Sequence, residues 1–169
     1  DCGDMHPLIH DWNGAVTRPS HPVQLNDETL RDGLQSPSVR TPTIDEKLHL
    51  LHLIDRLGIE TADIGLPGAG PHVVRDVERL AREIAAARLS VRANCGSRTL
   101  VADIEPIARI SQSTGVPIEC CTFIGSSPLR QYAEGWALDR LLALTEEAVA
   151  FARASPFPPP ELVEELVFA

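Results

Sequence analysis

The sequence predicts an α/β fold in which short parallel strands alternate with longer amphipathic helices. From residue 23 onward, β-type runs alternate with helical stretches, and glycine or proline residues stand between many of them. The predicted strand ends recur at intervals of roughly 30 to 37 residues, close to the ~31 residues per unit of a (β/α)8 barrel. Because four such units fit the chain and a barrel needs eight, we predict the N-terminal half of a TIM (β/α)8 barrel.

The first predicted unit starts with a strand over residues 23–27 and continues with a helix that begins at Thr43. Thr43 and Glu46 have the spacing of a capping box, which satisfies backbone donors at a helix start. Gly58 is predicted to end this helix. The apolar residues that share one helical face are Ile44, Leu48, Leu51 and Ile54.

The second unit combines a strand over residues 61–64 with a glycine-rich loop over residues 65–70. The loop lacks the Lys-Ser/Thr ending of a phosphate loop and the glycine spacing of a dinucleotide fingerprint. We therefore interpret it as a backbone turn near the barrel mouth. The helix that follows carries a regularly spaced apolar set, Val73, Val77, Leu80 and Ile84.

The third and fourth units follow the same order of strand and helix. A strand is predicted over residues 89–94, and Asp103 is predicted to cap a helix that ends at Gly115. The fourth strand is predicted over residues 118–124 and the last clear helix over residues 138–152.

The chain divides into three predicted parts. Residues 1–22 form an extended N-terminal arm interrupted by prolines, residues 23–153 form the half-barrel, and residues 154–169 form an atypical proline-rich end where a fifth strand is due. The chain starts with Asp1 and has its single methionine at position 5. We therefore expect a segment of a longer product.

Composition excludes several classes of function. The formal charge is −9 and no basic patch is evident, which argues against binding to nucleic acid. No apolar stretch reaches the roughly 18 residues of a membrane span. The four cysteines show no Cys-x-x-Cys spacing and no evident histidine partner, so we expect neither a disulfide framework nor a cysteine nucleophile. A reducing cytoplasm is the expected location.

The residues after the first strand carry the strongest functional signal. Reactive groups of a parallel barrel lie at the carboxyl ends of its strands, and Arg31 and Asp32 directly follow this strand. An isolated Arg-Asp pair is usually an exposed ion pair of little consequence. Here it stands inside a longer pattern, Thr29-Leu30-Arg31-Asp32-Gly33-Leu34-Gln35.

This pattern resembles the signature of the metal-dependent acyl-CoA synthases and lyases, a family that includes 2-isopropylmalate synthase, homocitrate synthase and hydroxymethylglutaryl-CoA lyase. The similarity continues through residues 58–67, Arg98, residues 103–104 and residues 123–128 and covers about residues 23 to 152. The sequence of residues 129–136 is most similar to that of 2-isopropylmalate synthase-like members.

The resemblance implies roles for three residues of the first motif. Arg31 would stabilise the enolate-like oxygen that develops when a carbon–carbon bond forms or breaks. Asp32 would be one ligand of a divalent metal, Mg²⁺, Mn²⁺ or Zn²⁺. Gln35 would help to hold the substrate.

Later strands would add further residues to the same site. Asp63 would order the metal-bound water or a ligand, and its alternative is an ordinary acid at a strand end. Arg98 would orient a carboxylate or the acid–base network, and its alternative is an exposed arginine. Thr122 and Ser126 would contact the keto acid, although loop serines also serve as turn formers.

The reaction implied is a Claisen condensation of acetyl-CoA with a 2-keto acid, as in leucine biosynthesis. A family member completes its metal site with a His-x-His pair, and none of the six histidines here forms that pair. Neither the general base nor the keto acid can be read from the sequence. Two alternatives therefore stay open: a hydroxymethylglutaryl-CoA lyase-like carbon–carbon lyase, and a non-catalytic half-barrel that pairs with another chain, including a homo-oligomer.

Overall fold

The computed structural model of the chain describes residues 21–155. The predicted N-terminal arm lies outside the described residues except for His21 and Pro22. The predicted proline-rich end lies outside them except for Ala154 and Ser155.

A parallel sheet of four strands forms the centre of the described region, with the strands in chain order. Asn26 pairs with Thr61, Asp63 with Asn94, and Arg98 with Phe123 across the three successive strand pairs. This sheet confirms the predicted α/β fold of four parallel units. The strands are β1 Asn26–Asp27, β2 Thr61–Asp63, β3 Arg92–Arg98 and β4 Ile118–Phe123.

Helices connect the strands and cover one face of the sheet. The predicted capping box is present, because the Thr43 hydroxyl accepts the Glu46 N–H and the Glu46 carboxylate accepts the Thr43 N–H at 2.8 Å. Gly58 follows the first helix with a φ of +77°, as the predicted helix end requires. The helices are α1 Ile44–Arg56, α2 Pro71–Ala87, α3 Val101–Thr114, α4 Pro128–Glu134 and α5 Leu138–Ala154.

The third strand begins later than predicted. Leu89 donates its N–H to the Ile84 carbonyl at the end of α2. The next two amides, of Ser90 and Val91, donate to the Asp55 carboxylate. Because these three amides are bound elsewhere, sheet pairing starts only at Arg92.

The helix after β3 also differs from its prediction. Asp103 is the third residue of α3 and Leu100 occupies the capping position without a side-chain hydrogen bond. Asp103 instead accepts hydrogen bonds from Arg98. A short helix, α4, was not predicted, although Ser127 caps it and Pro128 begins it.

The core lies between the sheet and the helices. Outward-facing strand residues such as Ala62, Cys95 and Ile118 are buried there against Leu80 of α2 and Ile107 of α3. The opposite face of the sheet is concave and polar, which is where the inside of a barrel would lie. Within residues 21–155, no helix is both long and apolar enough to cross a membrane.

Candidate functional site

A cavity of about 450 Å³ lies on the concave face of the sheet. All four strands or their extensions contribute to its wall, because alternate residues of a strand point to the same side. Most of the residues in the wall are of polar types. The lining residues are Gln24, Asn26, Glu28, Arg31, Thr61, Asp63, Arg92, Asn94, Gly96, Glu119, Cys121, Thr122 and Phe123.

Arg31 lies at the carboxyl end of β1 and is held by three carboxylates. Its Nε donates to Asp63 Oδ2 at 2.9 Å and its Nη2 donates to Glu28 Oε2 at 2.6 Å. Its Nη1 lies 3.3 Å from Asp32 Oδ1, the longest of the three contacts. The guanidinium therefore has a fixed orientation, with Nη1 as its least tightly held nitrogen.

Asp63 is the buried member of this group. Its side chain is 1% exposed and accepts the Gly65 N–H at 3.0 Å in addition to the Arg31 hydrogen bond. Burial raises the pKa of this carboxyl to about 6, and the Gly65 amide and the Arg31 guanidinium oppose that rise. Asp63 is thus the internal support of Arg31.

Gly96 of β3 makes this arrangement possible. A Cβ at this position would lie 3.3 Å from Asp63 Oδ2 and 3.5 Å from Arg31 Nε. Any side chain here would therefore press on the ion pair. The absence of a side chain lets the ion pair lie directly against β3.

The turn that follows β1 is built by its own side chains. The Asp27 carboxylate accepts the backbone N–H of Thr29 at 2.9 Å and its hydroxyl at 3.2 Å. Thr29 therefore supports the turn through both its amide and its hydroxyl. It places Arg31 and Asp32 beside the strand end.

Other predicted site residues lie at different places along the same edge. Gln35 borders a smaller cavity of about 200 Å³, and Arg31 borders both cavities. Thr122 is buried and lines the larger cavity. The larger cavity therefore contains Arg31, Asp63 and Thr122 of the predicted set but not Gln35.

Arg98 and Ser126 lie outside both cavities. The Arg98 side chain donates to both oxygens of Asp103, through Nε at 2.7 Å and Nη2 at 2.9 Å. Ser126 is exposed, and its backbone carbonyl accepts a hydrogen bond from Gln131. Their predicted contacts with a substrate stay predictions.

The model of the HMGL-like family matches residues 22–156 of this sequence. The chain belongs to the HMGL-like family. It is 30% identical over 133 residues to the 2-isopropylmalate synthase of Streptococcus gallolyticus (strain UCN34), covering 78% of this chain and 24% of that protein. It is 29% identical over 142 residues to the 2-isopropylmalate synthase of Xylella fastidiosa (strain M23), covering 83% and 26%.

This HMGL-like chain thus spans about a quarter of the length of the curated relatives that it matches. The HMGL-like domain is a TIM barrel, and the four parallel units are part of one. The predicted fold class and family resemblance are both confirmed.

Members of the HMGL-like family generally depend on a divalent metal. Among residues 21–155 no three His, Cys, Asp or Glu side chains are placed to hold an ion together. Asp32 is 64% exposed and has the hard oxygen donors that such an ion prefers. The described residues therefore do not by themselves make a metal centre of this HMGL-like chain.

Among the polar residues of the cavity that were not singled out from the sequence, three are linked by hydrogen bonds: Glu28, Asn26 and Asn94. Asn94 donates to Asn26 Oδ1 at 2.6 Å, and Asn26 donates to Glu28 Oε1 at 2.8 Å. Glu28 could have been noticed, because it stands directly before the motif and three residues before Arg31. Asn94 gives no such signal because it lies 68 residues away from Asn26.

Proposed function

We propose that this chain contributes the N-terminal part of an active site for a Claisen condensation of acetyl-CoA with a 2-keto acid, the 2-isopropylmalate synthase type of reaction. The observation that carries the proposal is the fixed guanidinium of Arg31 at the carboxyl end of β1, held by Asp63 and Glu28. Membership of the HMGL-like family and similarity to 2-isopropylmalate synthases support it.

The proposed chemistry of Arg31 is electrostatic. Negative charge develops on an oxygen when the methyl group of acetyl-CoA becomes nucleophilic or when a keto group is attacked. A guanidinium that is already oriented stabilises that charge without reorganising during the reaction. Nη1 is the proposed donor, because its contact with Asp32 is the longest that the guanidinium makes.

Asp32 is the proposed metal ligand from this part of the chain. A divalent ion in such a site supplies Lewis-acid and template chemistry for the keto acid. The carboxylate is exposed beside Arg31, and the guanidinium limits the negative charge at that place. Gln35, Thr122, Arg98 and Ser126 are proposed to contact substrate, with Asp63 supporting Arg31.

The experiment measures free thiol released from acetyl-CoA by the purified protein in the presence of 2-oxoisovalerate and Mg²⁺, Mn²⁺ or Zn²⁺. Arg31→Gln should lower kcat/KM by about 10²-fold or more, the usual effect of losing a charge-stabilising donor. Arg109→Gln is the control, since Arg109 is 69% exposed on α3.

Two outcomes would contradict the proposal. One is thiol release that is equal in Arg31→Gln and in the unaltered protein. The other is acetoacetate release from 3-hydroxy-3-methylglutaryl-CoA without thiol release from acetyl-CoA, which would identify a lyase instead.

A further inference from the structure

Glu28 uses both of its carboxylate oxygens as hydrogen-bond acceptors. Oε2 accepts from Arg31 Nη2 at 2.6 Å, and Oε1 accepts from Asn26 Nδ2 at 2.8 Å. Two separate donors therefore fix the plane of the carboxylate. This matters because the Glu28 side chain is 42% exposed and would otherwise sample several rotamers.

Asn26 is itself oriented by a residue of β3, from across β2 on the same face of the sheet. Its Oδ1 accepts from Asn94 Nδ2 at 2.6 Å, and Asn94 is 4% exposed in the middle of β3. With its oxygen bound to Asn94, the amide of Asn26 presents its nitrogen to Glu28. A buried residue of β3 thus sets the direction of a partly exposed residue beyond β1.

The two carboxylates that grip Arg31 have different supports. Asp63 is bound by the backbone amide of Gly65, whereas Glu28 depends on side chains alone. Asp63 binds Nε and Glu28 binds Nη2, so each holds a different nitrogen. Removing Glu28 would leave Nη2 without its short contact, and the guanidinium would be held only by Asp63 at Nε and by the longer contact of Asp32 with Nη1.

We propose that Glu28, oriented through Asn26 by Asn94, is a positioning residue that fixes the rotation of the Arg31 guanidinium. This inference rests on the proposed function, because Arg31 takes its reactive role from it. The charge-assisted hydrogen bond from Nη2 keeps Nη1 directed at Asp32. Glu28 acts on the reaction only through Arg31.

The test compares Glu28→Gln with the unaltered chain by NMR of the arginine side-chain N–H groups. A glutamine puts an NH2 donor in place of one carboxylate oxygen, so either Arg31 Nη2 or Asn26 Nδ2 would face a donor instead of an acceptor. We expect hydrogen exchange at Arg31 Nη2, the nitrogen that Glu28 binds, to accelerate about tenfold or more, as for a lost charge-assisted hydrogen bond. Glu28→Asp keeps the charge and should restore part of the protection.

Arg98 provides an internal control in the same spectra. Its Nε is bound to Asp103, away from the cavity, and its exchange should not change. Asn26→Ala removes the connection to Asn94 without changing any charge and should loosen Arg31 in the same direction by a smaller factor. Glu105→Gln, on the exposed side of α3, should change neither arginine.

Positioning and catalysis are separated by a parallel kinetic measurement. Glu28→Gln should lower kcat for thiol release and leave KM for acetyl-CoA within about twofold, because binding is retained and only the orientation of a charge is lost. Unchanged Arg31 exchange in Glu28→Gln, or equal acceleration at Arg98, overturns the positioning role. Loosened Arg31 in Glu28→Gln with thiol release equal to that of the unaltered protein overturns the proposed role of Arg31 in the reaction and leaves the positioning role supported.

Discussion

The ionisation of Asp63 changes the net charge of the cavity. It is buried, it holds Arg31, and burial raises its pKa to about 6. Below that pH the protonated form is favoured, and the ionised form that binds the guanidinium most strongly accumulates as pH rises. The hydrogen bond from Arg31 Nε to Asp63 therefore becomes stronger as pH rises through about 6.

Replacing Asp63 with asparagine should change the pH dependence of stability. A carboxyl with a raised pKa in the folded state binds more protons there than in the unfolded chain, so its contribution is greatest below about pH 4 and is lost as pH rises through 6. Relative to Asp63→Asn, the unaltered protein should lose roughly 2–3 kcal/mol of unfolding free energy between pH 4 and 7. Urea unfolding at several pH values measures this, and parallel profiles would contradict it.

A methyl group at Gly96 should disturb the Arg31–Asp63 pair. The added Cβ would lie 3.3 Å from Asp63 Oδ2, closer than ordinary contact, in a buried part of β3. We expect Gly96→Ala to lower the free energy of unfolding by about 1–2 kcal/mol through overpacking. Gly33→Ala is the matched control, because its nearest contact would be an ordinary 3.6 Å. Equal urea midpoints for both variants would contradict the prediction, because the ion pair would then accommodate the methyl group without loss of stability.

Sequence reasoning reached Arg31 and Asp32 because the motif that contains them is continuous. It did not identify Asn94, because this side chain binds Asn26, which is 68 residues away in the sequence. An asparagine at the end of a predicted strand does not by itself indicate a function. For Asp63 the sequence leaves open an ordinary acid at a strand end. Its burial and its hydrogen bonds can be seen only in the structure. Tertiary contacts of this kind are absent from local patterns.

At the scale of elements, α1 has the best-defined start of the helices. Thr43 and Glu46 bind each other's backbone amides, and Arg40 also pairs with the Glu46 carboxylate. The Arg40 guanidinium and the Thr43 amide lower the pKa of Glu46 to about 2. The start of α1 is important to the site because it follows the loop that carries Arg31.

Removing the cap should destabilise α1 without altering the core. Thr43→Ala should lower the free energy of unfolding by about 1 kcal/mol, the usual cost of losing an N-cap side chain. Ser36→Ala is a suitable control, since the hydroxyl of Ser36 contacts only the exposed Ser38 hydroxyl in the loop before α1. Chemical unfolding measures both variants, and a Thr43→Ala midpoint equal to that of Ser36→Ala would argue against the capping box.

The elements also show where local patterns fail. Apolar periodicity located α1, α2 and α5 well because their buried faces repeat regularly. The start of β3 was misplaced because Asp55, from a distant helix, takes two amides that would otherwise pair in the sheet. The short helix α4 has clear end signals in Ser127 and Gly135 but no buried residue, so hydrophobic periodicity could not reveal it.

At the scale of the whole molecule, the described sheet has two edges. Within residues 21–155, β1 pairs only with β2 and β4 pairs only with β3. Phe123 is 42% exposed beside the polar cavity. Unpaired strand edges next to exposed apolar surface favour association between chains.

We expect the isolated 169-residue chain to associate as its concentration rises. Phe123→Lys should weaken that association about tenfold or more, because a charge would have to be desolvated at the contact. Leu57→Lys is the control, since Leu57 is 76% exposed at the far end of α1. Sedimentation velocity over a concentration series measures both variants. A chain that stays monomeric at high concentration would contradict this expectation.

Two side-chain bridges pass over β2 on the concave face. Asn94 donates to Asn26, and Arg92 donates to Gln24 at 2.9 Å. Side chains thus join β3 directly to β1 and to the residues just before it, across β2. Both hydrogen bonds connect strands that are not neighbours in the sheet, so they limit how far these strands can move apart. These two hydrogen bonds therefore hold the first and third strands at a fixed separation across the second, independently of the backbone pairing in the sheet.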